Sequence, residues 1–153
     1  MNGKIDQTDC RIIELLQTDG RMPNTMIAKK LGISEATVRS RLNRLIKEEY
    51  VQIVAVSDPL KLGFGVCGIM KIDVDIKKID TVSRELSKIE QLWYIVHATG
   101  SAYIYAEFNA KSIDDLNDVI SNRINKIDGL LKTETNLVLK FIKRRYDWKT
   151  AME

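Results

Sequence analysis

The sequence predicts an α+β chain with a helix-rich N-terminal domain over residues 1–60 and a C-terminal domain over residues 61–153. Two observations support this division. Over residues 5–47 apolar side chains recur every three or four positions, which is the period of amphipathic helices. From residue 66 onward, stretches in which every second side chain is apolar, as in strands, and stretches with helical spacing follow one another in the order βαββαβ.

The N-terminal segment predicts three helices. The first covers residues 5–20, where Asp6 can act as N-cap and Asp9 stands three positions later. Residues 24–47 predict two more helices, separated by a turn at Gly32, a residue type that tolerates the positive φ of a turn.

The last of these three helices has the features of a DNA-reading element. Ser34 can cap it, because a serine hydroxyl accepts a hydrogen bond from a first-turn amide. Val38, Leu42 and Leu45 recur at the spacing of an inward stripe. Two helices joined by a tight turn form the helix-turn-helix pattern, whose second helix enters the major groove of DNA.

The charge on this helix agrees with that interpretation. Between Ala36 and Lys47 it carries four cations and no acidic residue, whereas a merely solvated face usually has acidic partners four residues away. Arginine and asparagine can read guanine and adenine edges with two hydrogen bonds. We predict a DNA contact with base readers Arg39, Ser40, Asn43 and Arg44, further contacts from Ser34 and Thr37, and Arg41 and Lys47 meeting phosphate or an acidic neighbour.

A β-rich stretch follows the third helix. Residues 50–57, YVQIVAVS, predict a strand that would act as a wing, so the N-terminal domain is predicted to be a winged helix-turn-helix. Residues 63–68 match GxGxxG, but a strand rather than a helix follows, and a dinucleotide site requires the helix. No cofactor is therefore expected.

The C-terminal domain is predicted to be a ferredoxin-like sandwich, an antiparallel sheet with two helices on one face. A second copy of the chain is the expected cover for the other face, which predicts a homodimer. The predicted strands are residues 66–74, 92–98, 102–109 and one within 130–146, and the predicted helices are residues 78–89 and one from Ser112 that stops at Gly129.

Composition excludes several other classes of protein. No apolar run approaches the roughly 20 residues of a membrane span, and the N-terminus does not resemble a signal peptide. Cys10 and Cys67 make no CxxC motif and the chain has one histidine, so neither a metal site nor a disulfide is expected. We expect a cytoplasmic protein, with both cysteines as packing residues.

The order of these features resembles the Lrp/AsnC family of leucine-responsive, or feast/famine, regulators. The resemblance rests on IDQTDCRIIELLQTDGR, IAKKLGISEATVRSRLNRLIKEEYV, SDPLKLGF and HATGSAYIYAEF, and it covers nearly the whole chain. It implies a transcription regulator that binds roughly palindromic DNA, dimerises through its C-terminal domain and often assembles into octamers. It also implies that small molecules, commonly amino acids, bind between C-terminal domains.

The resemblance also implies positions for such an effector, and the chain departs from the family there. The family's hairpin typically carries an acidic residue after the glycine, whereas here no carboxylate occurs before Glu107. Either the ligand differs, or another chain supplies the acid, or there is no effector. Glu49 also stands where the family often has glycine. The matching positions are Thr99, Gly100, Ser101 and Tyr103, with Thr133 and Thr135 as weaker additions.

Two other functions compete with DNA binding. A ligand-sensing module that controls an enzyme would share the ferredoxin-like layout, but it leaves residues 5–56 unexplained. An enzyme would need a catalytic constellation, and the sequence has no nucleophile motif such as GxSxG. The protein is therefore predicted not to be an enzyme.

Overall fold

A computed structural model describes residues 5–100 and 103–151. The chain forms two compact units, Met1–Val56 with Ile142–Glu153, and Ser57–Phe141. The predicted domains divide at residue 60 and assign the C-terminal tail to the second domain. By its contacts this tail clusters with the first unit instead.

The first unit contains three helices around one apolar core. They are α1 (Gln7–Thr18), α2 (Asn24–Leu31) and α3 (Glu35–Lys47), which confirms the helix-turn-helix prediction. The backbone of Gly32 ends α2 with a φ of +67°. The buried side chains of this core are Ile12, Ile13, Leu16, Ile27, Ala28, Val38 and Leu45.

Polar side chains fix both helix starts that the sequence indicated. Asp6 accepts a hydrogen bond from the Asp9 amide at 2.9 Å, and the Asp6 amide donates to the Asp9 carboxylate at 3.0 Å. This reciprocal pair is a capping box. Ser34 accepts from the Thr37 amide at 3.1 Å and so caps α3.

The end of α3 has a left-handed residue that is not glycine. The Glu49 amide donates to the Ile46 carbonyl at 3.1 Å, and the Tyr50 amide donates to the Leu45 carbonyl at 2.9 Å. These two bonds form a Schellman motif, in which the residue after the cap takes a positive φ. Glu49 has a φ of +61° there. A residue with a Cβ is strained in this conformation.

The predicted wing strand is wrong for this chain. Residues 51–58 are assigned to no helix or strand. Val51 packs against the core of the first unit, whereas the apolar side chains that follow it are exposed, with Val54 at 69 % and Val56 at 57 %. β-branched and aromatic residues favour a strand because they fit a pleated, half-buried surface. A strand also needs a neighbouring strand to accept and donate its backbone hydrogen bonds, and this segment has none within residues 5–100 and 103–151.

The second unit confirms the predicted βαββαβ order. The elements are β1 (Val66–Val74), α4 (Ile79–Leu86), β2 (Leu92–His97), β3 (Ile104–Ala110), α5 (Ile113–Asp118) and β4 (Leu130–Leu137). The four strands form one antiparallel sheet with the spatial order β2-β3-β1-β4. The second helix of the unit continues beyond α5 through a π turn and a 3-10 turn.

One face of this sheet is buried and the other is not. Alternate residues of β1 and β3, including Met70, Ile72 and Phe108, pack with side chains from the helices. The intervening residues form the open face, where Ile69 is 42 % exposed. Strand β4 lies within the predicted range 130–146 and ends at Leu137, whose ladder partner on β1 is Gly68.

The C-terminal tail contacts α1 within the first unit. The Lys149 amide donates to the Gln17 side-chain oxygen at 2.8 Å, and the Thr150 hydroxyl donates to Glu14 at 3.3 Å. Cys10 and Cys67 are both buried, as predicted for packing residues. Among the described residues no helix has the length and apolar character of a membrane span.

Candidate nucleic-acid interface

The outward face of α3 is a row of small and polar side chains, Ala36, Ser40, Asn43 and Lys47. All four are exposed, whereas Val38 on the opposite side is completely buried. At 3.6 residues per turn these four positions fall on one line along the helix. We call this row the reading row.

Arg39 borders the reading row and is already paired. Its guanidinium donates to Glu35 at 2.5 Å, and the two side chains are 63 % and 41 % exposed. The acidic partner that the sequence argument found missing from residues 36–47 therefore stands one position earlier. This pair is solvated and local to one helix turn.

Arg41 and Arg44 are paired with the start of α1. Arg41 donates to Asp6 at 2.6 Å and to the other acid, Asp9, at 2.9 Å. Arg44 donates to Asp9 at 2.5 Å. We call these four side chains the interhelix cluster. Arg41 thus meets acidic neighbours, and Arg44, which the sequence placed among the base readers, shares one of them.

Asp9 is the centre of the interhelix cluster. Its side chain is completely buried, and it receives hydrogen bonds from the Asp6 amide, Arg41 and Arg44. Burial acts to raise the pKa of the Asp9 carboxyl, but these three donors together hold that pKa below its usual value. The Asp9 carboxylate is therefore charged and satisfied in spite of its burial.

The other members of the cluster respond to the same contacts. The hydrogen bond from Arg41 is the main cause that lowers the pKa of the Asp6 carboxyl. Asp6 and Asp9 in turn raise the pKa of the Arg41 guanidinium, and Asp9 does the same for Arg44. A cleft of about 610 Å³ beside the cluster is also lined by Ala36, Thr37 and Ser40.

Three more predicted DNA contacts lie at the two ends of α3. The hydroxyls of Ser34 and Thr37 are 2.8 Å apart within the N-terminal cap. Lys47 is exposed in the last turn and, within the described part of the chain, has no ion-pair partner. Of the four cations on α3, three are thus neutralised by carboxylates.

Sequence reasoning missed the role of the two acids in this interface. It identified Asp6 and Asp9 as helix caps, which they are. Their second set of partners lies 32 and 35 residues away along the chain, on α3. The position of Arg41 near the inward stripe was the one available signal: it allowed an acidic neighbour for Arg41 but did not indicate which acid.

The effector positions do not come together within one chain. Thr99 and Gly100 are exposed in the hairpin between β2 and β3, and Tyr103 is 41 % exposed. Ser101 lies outside the described residues. The Tyr103 ring lies beside that of His97, with centroids 6.3 Å apart.

Thr133 and Thr135 lie on β4, at the opposite edge of the sheet. They pair with Ile72 and Met70, so they lie on the helix-covered side. Two strands, β3 and β1, separate β4 from β2. With about 4.8 Å between neighbouring strands, the threonines are roughly 14 Å from the hairpin side of the sheet.

Comparison with known proteins identifies both units. Residues 5–46 match the AsnC-type helix-turn-helix domain, and residues 67–148 match the Lrp/AsnC ligand binding domain. The HTH-type transcriptional regulator LrpA of Pyrococcus horikoshii is 36 % identical over 140 residues, which cover 91 % of this chain and 99 % of that protein.

Solved structures have the same fold. That of AsnC from E. coli superimposes with a TM-score of 0.80 at 26 % identity, and the match covers 93 % of this chain and 97 % of that one. Transcriptional regulator NMB0573 of Neisseria meningitidis, solved as a complex with L-Met, gives a TM-score of 0.82 at 18 % identity, covering 94 % and 96 %. This chain belongs to the Lrp/AsnC family of transcriptional regulators, with a DNA-binding helix-turn-helix domain and a ligand-binding domain.

Proposed function

We propose that this regulator binds duplex DNA as a homodimer and reads each half-site with the reading row of α3. The observation that carries the proposal is that this row is exposed on a helix capped at both ends and pinned to α1. Ala36 is small enough for a close approach to the groove. Asn43 can read adenine with two hydrogen bonds, and Ser40 can form a hydrogen bond with more than one kind of base.

Side chains around the reading row supply the remaining contacts in this proposal. Arg39 leaves its solvated ion pair with Glu35 and donates hydrogen bonds to a base instead. Lys47, Ser34 and Thr37 contact phosphate, which positions the helix without selecting sequence. The two copies of α3 in a dimer would lie about one DNA turn apart, roughly 34 Å. No catalytic step is part of this function.

In-vitro selection of bound duplexes tests the proposal directly. The wild-type protein is expected to enrich a roughly palindromic sequence with half-sites one turn apart. Gel-shift titrations at two salt concentrations then compare Asn43→Ala with Lys47→Ala. We expect Asn43→Ala to lose discrimination by about 1–3 kcal/mol at one base pair, and Lys47→Ala to weaken all sequences and flatten the salt slope. Failure of the wild type to bind any duplex at low salt would refute the proposal.

The open face of the sheet is the surface we propose for dimerisation. Ile69 and Tyr94 lie on this face, 42 % and 48 % exposed, with Glu107 opposite both in the ladder. Polar side chains such as Lys71 share this face, and the sheet gains stability when a second copy covers its exposed apolar side chains. Ile69→Glu is expected to give monomers in analytical ultracentrifugation, whereas Ile113→Glu, at an isoleucine on α5 that is 54 % exposed, serves as the control.

We further propose that the ligand of the C-terminal domain is of the amino-acid class and binds between two copies. The structural neighbour NMB0573 is a complex with L-Met. A buried ammonium needs a carboxylate, and Glu107 of β3 is the first acid after the hairpin. Calorimetric titration with a pool of amino acids should give heat with wild type and none with Ile69→Glu. Equal binding by the monomeric variant would place the ligand within one chain.

A further inference from the structure

We propose that Asp9 is a positioning residue for DNA recognition: it retains Arg41 and Arg44 at the α1–α3 junction and thereby sets the orientation of the reading row. The inference rests on the proposed function, since it concerns how α3 is presented to DNA. It assigns to a buried acid of α1 a role in sequence discrimination. It also takes Arg44 out of the set of base readers.

The first argument is the geometry around the Asp9 carboxylate. One oxygen accepts from Arg41 at 2.9 Å, and the other accepts from Arg44 at 2.5 Å and from the Asp6 amide at 3.0 Å. The two arginines stand three residues apart and therefore project from neighbouring turns on one side of α3. Two anchor points on successive turns fix the rotation of α3 about its own axis as well as its distance from α1.

The second argument is the cost of removing Arg44 from this position. Its partner Asp9 is completely buried, and withdrawing Arg44 takes one of two cations from that carboxylate and leaves it with Arg41, which is unfavourable where water cannot replace the lost donor. A second acid also faces it, since the Glu48 carboxylate lies 4.0 Å from the Arg44 guanidinium. That Glu48 oxygen is buried and, among the described residues, has no hydrogen-bond partner. A base contact by Arg44 would have to exceed the loss of both interactions.

The third argument is the demand that base reading makes on orientation. A bidentate contact from Asn43 requires both hydrogen bonds to be near 2.9 Å and nearly straight. A small rotation of α3 would displace Ser40 and Asn43 together, because both lie on the same row. The anchor at Asp9 therefore acts on every base pair that the row reads.

Asp9→Asn tests this inference, with Asp6→Asn as its matched control. Asparagine keeps the shape and, at residue 6, the capping ability of the acid. Asp9→Asn removes the buried charge that both guanidiniums share and leaves Arg41 with Asp6 alone, whereas Asp6→Asn removes only the exposed partner of Arg41. Gel shifts against the selected site, its single-base variants and random duplex give the discrimination and the salt slope.

We expect Asp9→Asn to lower discrimination about tenfold or more at several base pairs at once, because each misplaced bidentate contact loses discrimination of that order. Its salt slope should steepen, because each arginine released to a phosphate adds about 0.9 to the slope. A merely structural loss of folded protein would change neither the slope nor the ratio between specific and random duplexes. Asp6→Asn should keep the wild-type discrimination. Unchanged discrimination in folded Asp9→Asn would overturn the proposal.

Arg44→Gln keeps the inference testable if Asp9→Asn does not fold. An Arg44 that positions α3 predicts a loss spread over the half-site and an unchanged salt slope. An Arg44 that reads a base predicts a loss confined to one base pair, as for Asn43→Ala, and that result would overturn the proposal. If the wild type itself selects no sequence, the proposed DNA-binding function fails, and the role of Asp9 fails with it. If the wild type selects a sequence and the variants behave otherwise than expected, only the role of Asp9 fails.

Discussion

Helix α3 carries two sets of ion pairs that differ in almost every physical respect. Arg39 and Glu35 lie on one turn of the same helix, and both are largely solvated. The interhelix cluster joins α3 to α1 through a carboxylate with no exposed surface. An exposed pair gains little because water competes for both ions, whereas a buried carboxylate that loses its cation cannot be hydrated. Arginines of one helix thus differ in role: Arg39 makes a solvated pair that contributes little to stability, whereas Arg41 and Arg44 hold α3 against α1.

The largest effect is expected from breaking the interhelix cluster. Asp9→Ala leaves Arg41 and Arg44 without their shared acceptor and removes the capping box. We expect the first unit to lose about 3–5 kcal/mol of unfolding free energy. Hydrogen exchange of the α1 and α3 amides measures this unit specifically. A loss below about 1 kcal/mol would mean that the cluster behaves like a solvated pair.

Acid should weaken the same cluster without any mutation. The pKa values of the Asp6 and Asp9 carboxyls are lowered in the folded protein from an ordinary value of 3.8. Their contribution to stability is therefore complete above that value and is lost as the pH falls through the lower, folded values. Thermal unfolding followed from about pH 5 to about pH 2 should show a steeper loss for wild type than for Asp9→Asn. Parallel curves would contradict this assignment.

A smaller effect is expected just after the C-terminus of α3, at Glu49. Glu49→Gly relieves the left-handed conformation at a φ of +61°. It should stabilise the first unit by about 1 kcal/mol, since glycine adopts this conformation without steric cost. Chemical denaturation measures the change, and Glu49→Ala, which keeps the Cβ, is the control. Destabilisation by glycine would show that the glutamate side chain matters more than its backbone.

The smallest effect is expected at the exposed pair. Arg39→Gln should change the unfolding free energy by about 0.5 kcal/mol or less, because the pair is solvated and lies within one helix. Arg41→Gln, the same substitution two residues further along α3, should cost several times more. Comparable losses for the two variants would remove the distinction between the two sets.

The sequence predicted most of the fold because spacing and capping residues within a few positions determine where helices and strands begin and end. The strand expected at residues 66–74 is found at Val66–Val74, and Asp6 and Ser34 cap the helices as expected. The wing failed for a physical reason. Alternation of apolar residues can be read locally, but a strand exists only when another strand supplies its hydrogen bonds.

The candidate site was predictable as a helix but not as an arrangement of charges. Four cations without an acid between residues 36 and 47 suggested a strongly basic face. Folding places four carboxylates against three of those cations, two of them from the start of α1 and its N-cap. Only Lys47 retains an unneutralised charge among the described residues of that helix. The sequence could not reveal this, because spacing along the chain does not indicate which turns of two helices will meet.

By itself the sequence determined the order of helices and strands, the caps, the inward stripe and the exposed row of α3. Each of these depends on residues within about one or two helical turns, a distance at which spacing fixes geometry. Only the tertiary structure decided which arginines face solvent and which are held by Asp9. The free energy of a charge depends on its distance from partners and from water, and packing sets both distances.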